Sequence, residues 1–239
     1  MRLYLLQKMR DNFMRFKLHR ITGLSRNFFF KINALTSLSR WRAANTCEGP
    51  DDFYSPVWDY NKRFSIYQYL LEKYQLQHSP FNYLEFGVAE GDSLKWWVEN
   101  CRHEETVFMG FDTFEGLPED WGTFKKGDMA YEMGALDIAD TRLSVYKGLF
   151  QETLIQALEN LQTNRRHIIH LDADLFTSTL FALTQLFRFL KKDDILIFDE
   201  FATPTHEFSA FKIFTESCYI NYEVLTAACN YTFVAIRII

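Results

Sequence analysis

Acidic residues and glycines cluster in this chain at the ends of apolar runs. Tyr83-Leu84-Glu85-Phe86-Gly87-Val88-Ala89-Glu90-Gly91-Asp92-Ser93 passes from an apolar run through two glycines into an amphipathic segment. A strand, a tight turn and a helix start in that order aim backbone N–H groups and a helix N-terminus at a ligand. Asp112 ends the next apolar run, Val107-Phe108-Met109-Gly110-Phe111, at the distance past a glycine turn where an acid commonly holds a ribose hydroxyl pair. Two later runs end in His170-Leu171-Asp172-Ala173-Asp174 and Ile195-Leu196-Ile197-Phe198-Asp199-Glu200. Neighbouring parallel strands would bring Asp172, Asp199 and Glu200 to one sheet edge. Carboxylates that close repel unless a cation or protons compensate. Hard oxygen ligands suit Mg²⁺, and also Mn²⁺ or Ca²⁺. The alternative is a set of solvated strand-end acids, with Asp174 capping a helix that starts near Thr177. The glycine spacing G-x-x-x-G also fits a plain strand-to-helix turn that binds nothing.

The elements that must position these residues follow from periodicity. Apolar runs predict strands near 82–87, 107–112, 142–147, 166–172 and 194–199, alternating with helices near 91–101, 150–162, 177–191 and 205–218. Another helix, Phe64 to Tyr74, leads into the glycine stretch. Strands joined by crossover helices make a parallel sheet with ligands at the carboxyl ends. The tail adds two strands, 221–225 and 231–236, joined by a turn near Cys229-Asn230. The fold expected is therefore α/β: a Rossmann-like, doubly wound, mostly parallel seven-stranded sheet with an antiparallel C-terminal hairpin, plus an N-terminal helical extension. Residues 113–140 have little periodicity and read as a lid at the ligand end or as an irregular surface insertion.

Composition divides the chain in two. Of the 239 residues, 48% are hydrophobic and 24 are phenylalanine, so a sizeable core is available. Residues 1–45 hold ten Lys/Arg against one acid, Asp11, a net +9, while the whole chain carries −5, so the remainder carries −14. An acidic body disfavours nucleic acid as a partner. In the arm, Leu5, Leu6, Met9, Phe13 and Phe16 fall on one helical face flanked by basic residues. Such a helix can pack on its own domain, join a second copy in a homo-oligomer, or lie on an anionic membrane surface. Arg-rich and acid-poor composition also describes an organellar transit peptide. Gly23 is a natural break in the arm, and Gly49-Pro50-Asp51-Asp52 and Ser55-Pro56 form a loop or linker. This sets an extension at 1–45 and one domain at 46–239. Cys47, Cys101, Cys218 and Cys229 form no C-x-x-C pair, which suits reduced thiols in a cytoplasmic protein.

Five segments in order carry a resemblance. They are Leu84-Glu85-Phe86-Gly87-Val88, Gly110-Phe111-Asp112-Thr113-Phe114-Glu115-Gly116-Leu117-Pro118, Tyr146 to Leu154, His170 to Thr179, and Asp199-Glu200-Phe201. Over roughly residues 60–239 the chain resembles class I S-adenosylmethionine-dependent methyltransferases, and more narrowly the macrocin O-methyltransferase family. The resemblance implies that Glu85, Gly87 and Gly91 shape the cofactor pocket, with Asp112 on the ribose, Thr113 and Phe114 near the adenosine, and Lys147-Gly148 on the adenine side. It implies that Asp172, Asp199 and Glu200 hold a divalent cation, with Glu200 standing where the family more often has Asp.

The expected activity is O-methyl transfer to a hydroxylated small molecule, such as a sugar of a natural product. A cation binding neighbouring oxygens lowers the hydroxyl pKa, and a base then takes its proton. His206 is the first candidate base, because it lies just past the metal edge, and Asp174 is the second. His170 reads as a core residue or a support for the acids. Two rival functions remain at this point: a nicotinamide-dependent oxidoreductase, opposed by Ala89 in the glycine turn, and a non-catalytic cofactor-binding scaffold tethered through the arm.

Overall fold

The computed structural model describes residues 2–159 and 161–239. Seven strands form one sheet: β1 (Phe81–Phe86), β2 (Val107–Asp112), β3 (Leu143–Lys147), β4 (Arg166–Leu171), β5 (Ile195–Phe198), β6 (Tyr222–Ala228) and β7 (Phe233–Ile238). Their order is β3-β2-β1-β4-β5-β7-β6. β1 to β5 pair in parallel, and β7 runs antiparallel to both β5 and β6. The hairpin's second strand thus inserts beside β5, and β6 becomes the edge. The chain leaves β1 toward β2 and β3, then returns to lay β4 on the other side of β1. That reversal makes a topological switch point, where a crevice opens at the strands' carboxyl ends.

The arm consists of α1 (Arg2–Arg15) and α2 (His19–Ala44). The helices around the sheet are α3 (Arg63–Lys73), α4 (Asp92–Asn100), α5 (Phe150–Leu158), α6 (Phe176–Leu186) and α7 (Glu207–Ser217). Every residue of β1 and of β5 is buried, as expected of parallel strands covered on both faces. Alternate residues of each strand feed two separate apolar layers. Leu84, Phe86, Ile169, Leu171 and Phe198 pack with α5, α6 and α7, whereas Phe81, Tyr83, Ile168 and Ile197 pack with α3 and α4. By the same alternation Glu85, His170 and Asp199 point to the α3/α4 side. One register therefore sets three polar groups in a row inside an apolar layer.

The arm departs from its sequence pattern in two ways. The break falls at Phe16–Leu18, where Lys17 has φ 50°, and helix α2 runs through Gly23. A glycine inside a helix costs only about 1 kcal/mol. The end of α2 also belongs to the packed body. Ala34 is buried, and Leu38 and Trp41 join the α5/α6/α7 layer. The Trp41 ring packs on Phe201, Phe208, Phe211 and Tyr231, and its Nε1 donates to the Tyr222 hydroxyl at 2.8 Å. The proposed linker is equally structured. Glu48 and Gly49 donate to Val224 and Leu225, and Ala227 donates to Pro50, so the segment covers edge strand β6. Among the described residues, no helix is long and apolar enough to cross a membrane.

Removing the indole should therefore cost core stability. We expect Trp41→Ala to lower the unfolding free energy by about 3 kcal/mol in denaturant titration. A loss within experimental error would show that the end of α2 is not part of the core.

Candidate active site

The glycine turn is built by backbone crowding at the switch point. Gly87 has φ +93°, and a β-carbon there would lie 1.9 Å from the Asp172 carbonyl oxygen. Its N–H donates to Phe111 O, and Asp172 N–H donates to Phe86 O, both at 2.9 Å. Only glycine lets β1 and β4 close this tightly. Gly91 (φ +84°) then turns the chain into α4. Asp112 holds the turn from β2: its Oδ2 accepts from the N–H groups of Val88 at 2.8 Å and Ala89 at 2.9 Å, and its Oδ1 from Phe114 N–H at 2.6 Å.

Beneath the turn runs a buried polar chain. The Tyr83 hydroxyl donates to Glu85 Oε2 at 2.5 Å and lies 2.9 Å from His170 Nδ1. His170 Nε2 lies 3.6 Å from Asp199 Oδ1 and 3.3 Å from the Tyr67 hydroxyl, which in turn meets Ser93 Oγ at 2.9 Å. Tyr60 donates to Asp199 Oδ2. Burial opposes charge on His170, but the neighbouring Asp199 and Glu85 carboxylates win and raise its pKa to about 9. The ring is thus an imidazolium between two carboxylates, a role that exceeds simple core packing.

The acid cluster stands beside this chain. Asp172, Asp174 and Glu200 line a cavity of about 770 Å³ that also takes in Glu85, Gly87, Gly91, Asp112 and Thr113. Asp199 lies buried below it. Burial raises all three lining carboxyls, aided by their acidic neighbours: Asp172 goes well above its ordinary value, with Asp199 and Asp174 next in effect, Asp174 reaches about 7, with Glu200 beside it, and Glu200 reaches about 7, with Asp199 beside it. Potential ligand atoms of His170, Asp172 and Asp199 all lie within 4.8 Å of one another. Glu200 is outside that trio, its carboxylate accepting from Thr203 Oγ1 at 3.3 Å. Asp199 Oδ1 is buried and accepts no hydrogen bond among the described residues. Crowded carboxylates with an open buried oxygen fit a hard divalent cation.

Of the two candidate bases, the fold brings Asp174 into the cavity and leaves His206 out of its wall. Asp174 has φ +56°, which turns it off the helix path, and α6 starts after Leu175 with no side-chain cap. The helix-cap alternative for Asp174 is therefore not realised. His206 instead accepts the Phe176 N–H on Nδ1 at 3.4 Å, and burial lowers its pKa. Phe114 and Gly148 also lie outside the wall. Phe114 is buried, and Gly148 N–H donates to Asp112 O at 2.9 Å. Both support the turn from behind. Tyr60, Arg63 and Tyr67 were not apparent from the sequence motifs, because tertiary packing alone brings α3 and the turn before it to this edge.

Residues 113–140 form the opposite wall. Leu117 and Gly127 exchange backbone hydrogen bonds with Asp128 and Leu117, Trp121 stacks on Phe124 at 5.4 Å, and Glu119 accepts from Thr177 Oγ1 at 2.7 Å. Leu117, Trp121, Phe124, Met129 and Tyr131 give this wall an apolar face. The segment is a cavity cover and not a surface insertion.

A profile of the macrocin-O-methyltransferase (TylF) family matches residues 60–233, and the chain belongs to that family. It is a methyltransferase, which sets aside the oxidoreductase reading. No curated protein matches its sequence. Among solved structures, the calicheamicin methyltransferase CalS11 is similar at 21% identity and a TM-score of 0.58, over 75% of this chain and 78% of that one. The O-methyltransferase NovP is similar at 17% identity and a TM-score of 0.59, over 74% and 78%. An apo form of CalS11, described as a TDP-rhamnose 3'-O-methyltransferase, gives 22% identity and a TM-score of 0.51, over 75% and 78%. At these identities the likeness shows the shared fold.

The grip of Asp112 on the glycine turn has a direct readout. Asp112→Asn would set an amide N–H against a backbone N–H. We expect a loss of about 1–3 kcal/mol in stability and faster hydrogen exchange at Val88 and Ala89. Unchanged protection of both amides would show that the carboxylate does not hold the turn.

Proposed function

We propose that this protein is an S-adenosylmethionine-dependent, divalent-metal-assisted O-methyltransferase acting on a hydroxyl of a small molecule, a sugar of a natural product. The observation that carries the proposal is one chamber lined by two chemically different groups. The glycine turn and Asp112 line it together with the carboxylates of Asp172, Asp174 and Glu200. The family supports methyl transfer, and the description of CalS11 as a TDP-rhamnose 3'-O-methyltransferase supports a sugar acceptor.

When bound, S-adenosylmethionine supplies a methyl group on a sulfonium, and Mg²⁺ or Mn²⁺ supplies charge that lowers the pKa of an acceptor hydroxyl. Glu85, Gly87, Gly91 and Thr113 form the cofactor end, and Asp112 offers its remaining lone pairs to the ribose. Phe114 and Gly148 shape that end from behind. Asp172, Asp199 and Glu200 hold the cation. Tyr60 fixes the Asp199 carboxylate by donating to it, and the His170 imidazolium lies beside it. Asp174, free of any cap role, accepts the hydroxyl proton. His206 orients the start of α6 and, with it, Thr177 and the lid. The lid wall excludes water, which strengthens each of these electrostatic contacts.

The arm adds the assembly. Leu5, Leu6, Met9, Phe13 and Phe16 are exposed along α1. A second copy, with an acidic body opposite in charge to the arm, suits this face and makes a homo-oligomer; peripheral contact with an anionic membrane would use the same residues. All four cysteines carry free thiols, which suits a cytoplasmic setting. A cofactor-binding scaffold without turnover is the reading that loss of catalysis would favour.

Two measurements test the function. Calorimetric titration with S-adenosylmethionine, with and without Mg²⁺, should give saturable binding. Asp172→Asn/Asp199→Asn should abolish methyl transfer while the circular dichroism spectrum stays native. Activity retained in that variant would remove the metal role. Absence of cofactor binding in both titrations would overturn the methyltransferase assignment of the site. Light scattering of the full chain should show an oligomer that Met9→Glu/Phe13→Glu converts to a monomer. A persistent oligomer would exclude the arm as the contact.

A further inference from the structure

Helix α7 carries a carboxyl where its packing calls for an apolar side chain. Glu207, Ala210, Phe211 and Phe214 share one face at the spacing of an apolar stripe, and all four are buried. An acid in the first turn of a helix normally gains from the helix dipole while it stays in water. Glu207 is fully buried instead. Its Oε2 accepts the Glu200 N–H at 3.0 Å, and its Oε1 is buried with no hydrogen-bond partner among the described residues. A buried carboxyl with an idle oxygen is costly. What this one holds is a single backbone amide.

That amide joins Asp199 to Glu200. The Asp199 carbonyl and the Glu200 N–H belong to one planar peptide unit, so fixing the N–H fixes the backbone that carries both carboxylates. The flanking N–H groups are held by backbone carbonyls: Asp199 donates to Leu171 O at 3.0 Å and Phe201 to Thr232 O at 2.9 Å. Glu200 N–H has no backbone acceptor among the described residues, and Glu207 takes that place. Thr203 secures the rest of Glu200, its N–H donating to Glu200 O at 2.9 Å and its Oγ1 to the carboxylate at 3.3 Å. Glu207 itself stands behind the cavity wall and not in it. We propose that Glu207 is a positioning residue: from the start of α7 it holds the Asp199–Glu200 peptide and so aims both carboxylates at the divalent cation. The proposal rests on the metal reading above. The competing role is direct ligation of the cation through the idle Oε1.

The test uses Mn²⁺ as the probe, its binding to the full chain read by electron paramagnetic resonance. S-Adenosylhomocysteine affinity, measured by calorimetry without metal, reports whether each variant pocket is folded. Glu207→Leu removes the acceptor and should weaken Mn²⁺ binding about 10- to 100-fold, the usual effect of losing a group that orients a metal ligand. Glu207→Gln keeps an oxygen for the Glu200 N–H and should leave the Mn²⁺ affinity close to that of the wild type. Both variants should bind S-adenosylhomocysteine as the wild type does. In a Glu200→Ala background, Glu207→Leu should cost less than it does alone, because one of the carboxylates it aims is gone. Unchanged Mn²⁺ affinity in Glu207→Leu would overturn the proposal, and so would a cost that Glu200→Ala leaves undiminished. A Glu207→Gln variant as weak as Glu207→Leu would overturn it in favour of direct ligation. Loss of S-adenosylhomocysteine binding together with Mn²⁺ would overturn it too, making Glu207 a prop of the fold. Wild-type protein that binds S-adenosylhomocysteine but no Mn²⁺ would overturn the metal reading, and the role of Glu207 with it.

Discussion

A buried imidazolium flanked by carboxylates governs the design of this molecule. His170 sits fully buried between Glu85 and Asp199 and keeps its proton because they are there. Removing both carboxylates would leave an unpaired charge in an apolar layer, which costs several kcal/mol. One positive ring against two acids still leaves the row negative, and Asp172, Asp174, Glu200 and Glu207 crowd the same edge. Burial first, and this crowding next, raises the carboxyl groups there.

The sheet was the most legible part of the fold. Continuous apolar runs mark buried parallel strands, and acids at the ends of β1, β2, β4 and β5 mark the ligand edge, so Glu85, Asp112, Asp172 and Asp199 could be placed from periodicity alone. Strand order was not legible, and tertiary packing inserts β7 beside β5. The side chains that finish the site were not legible. Tyr60, Arg63 and Tyr67 lie about 20 or more residues before the glycine turn, on or just ahead of a helix whose amphipathic pattern reads as ordinary packing. His206 follows Asp199 and Glu200 in sequence, yet the turn before α7 sets its ring on the first turn of α6. Asp174 looked like a helix cap because α6 follows at once, but its positive φ turns it into the cavity.

The two walls of the cavity divide the labour of recognition. The sheet side is acidic and rigid, held by strand ends and backbone hydrogen bonds. The lid side is aromatic and joins α6 through the Glu119–Thr177 hydrogen bond. Leu117, Trp121, Phe124, Met129 and Tyr131 thus line the same cavity as the acidic strand ends.

The arm obeys a different constraint. Isolated helices of 12–15 residues are marginal in water, roughly the length of α1. Its apolar side chains stay about 40–70% exposed, so the packing that normally sustains a surface helix is missing. Only the end of α2, from Ala34 to Trp41, has found that packing, against Phe201, Phe208 and Phe211. Trp41 rests on Phe201, one residue past Glu200, so the packed end of the arm abuts the strand end that carries Asp199 and Glu200.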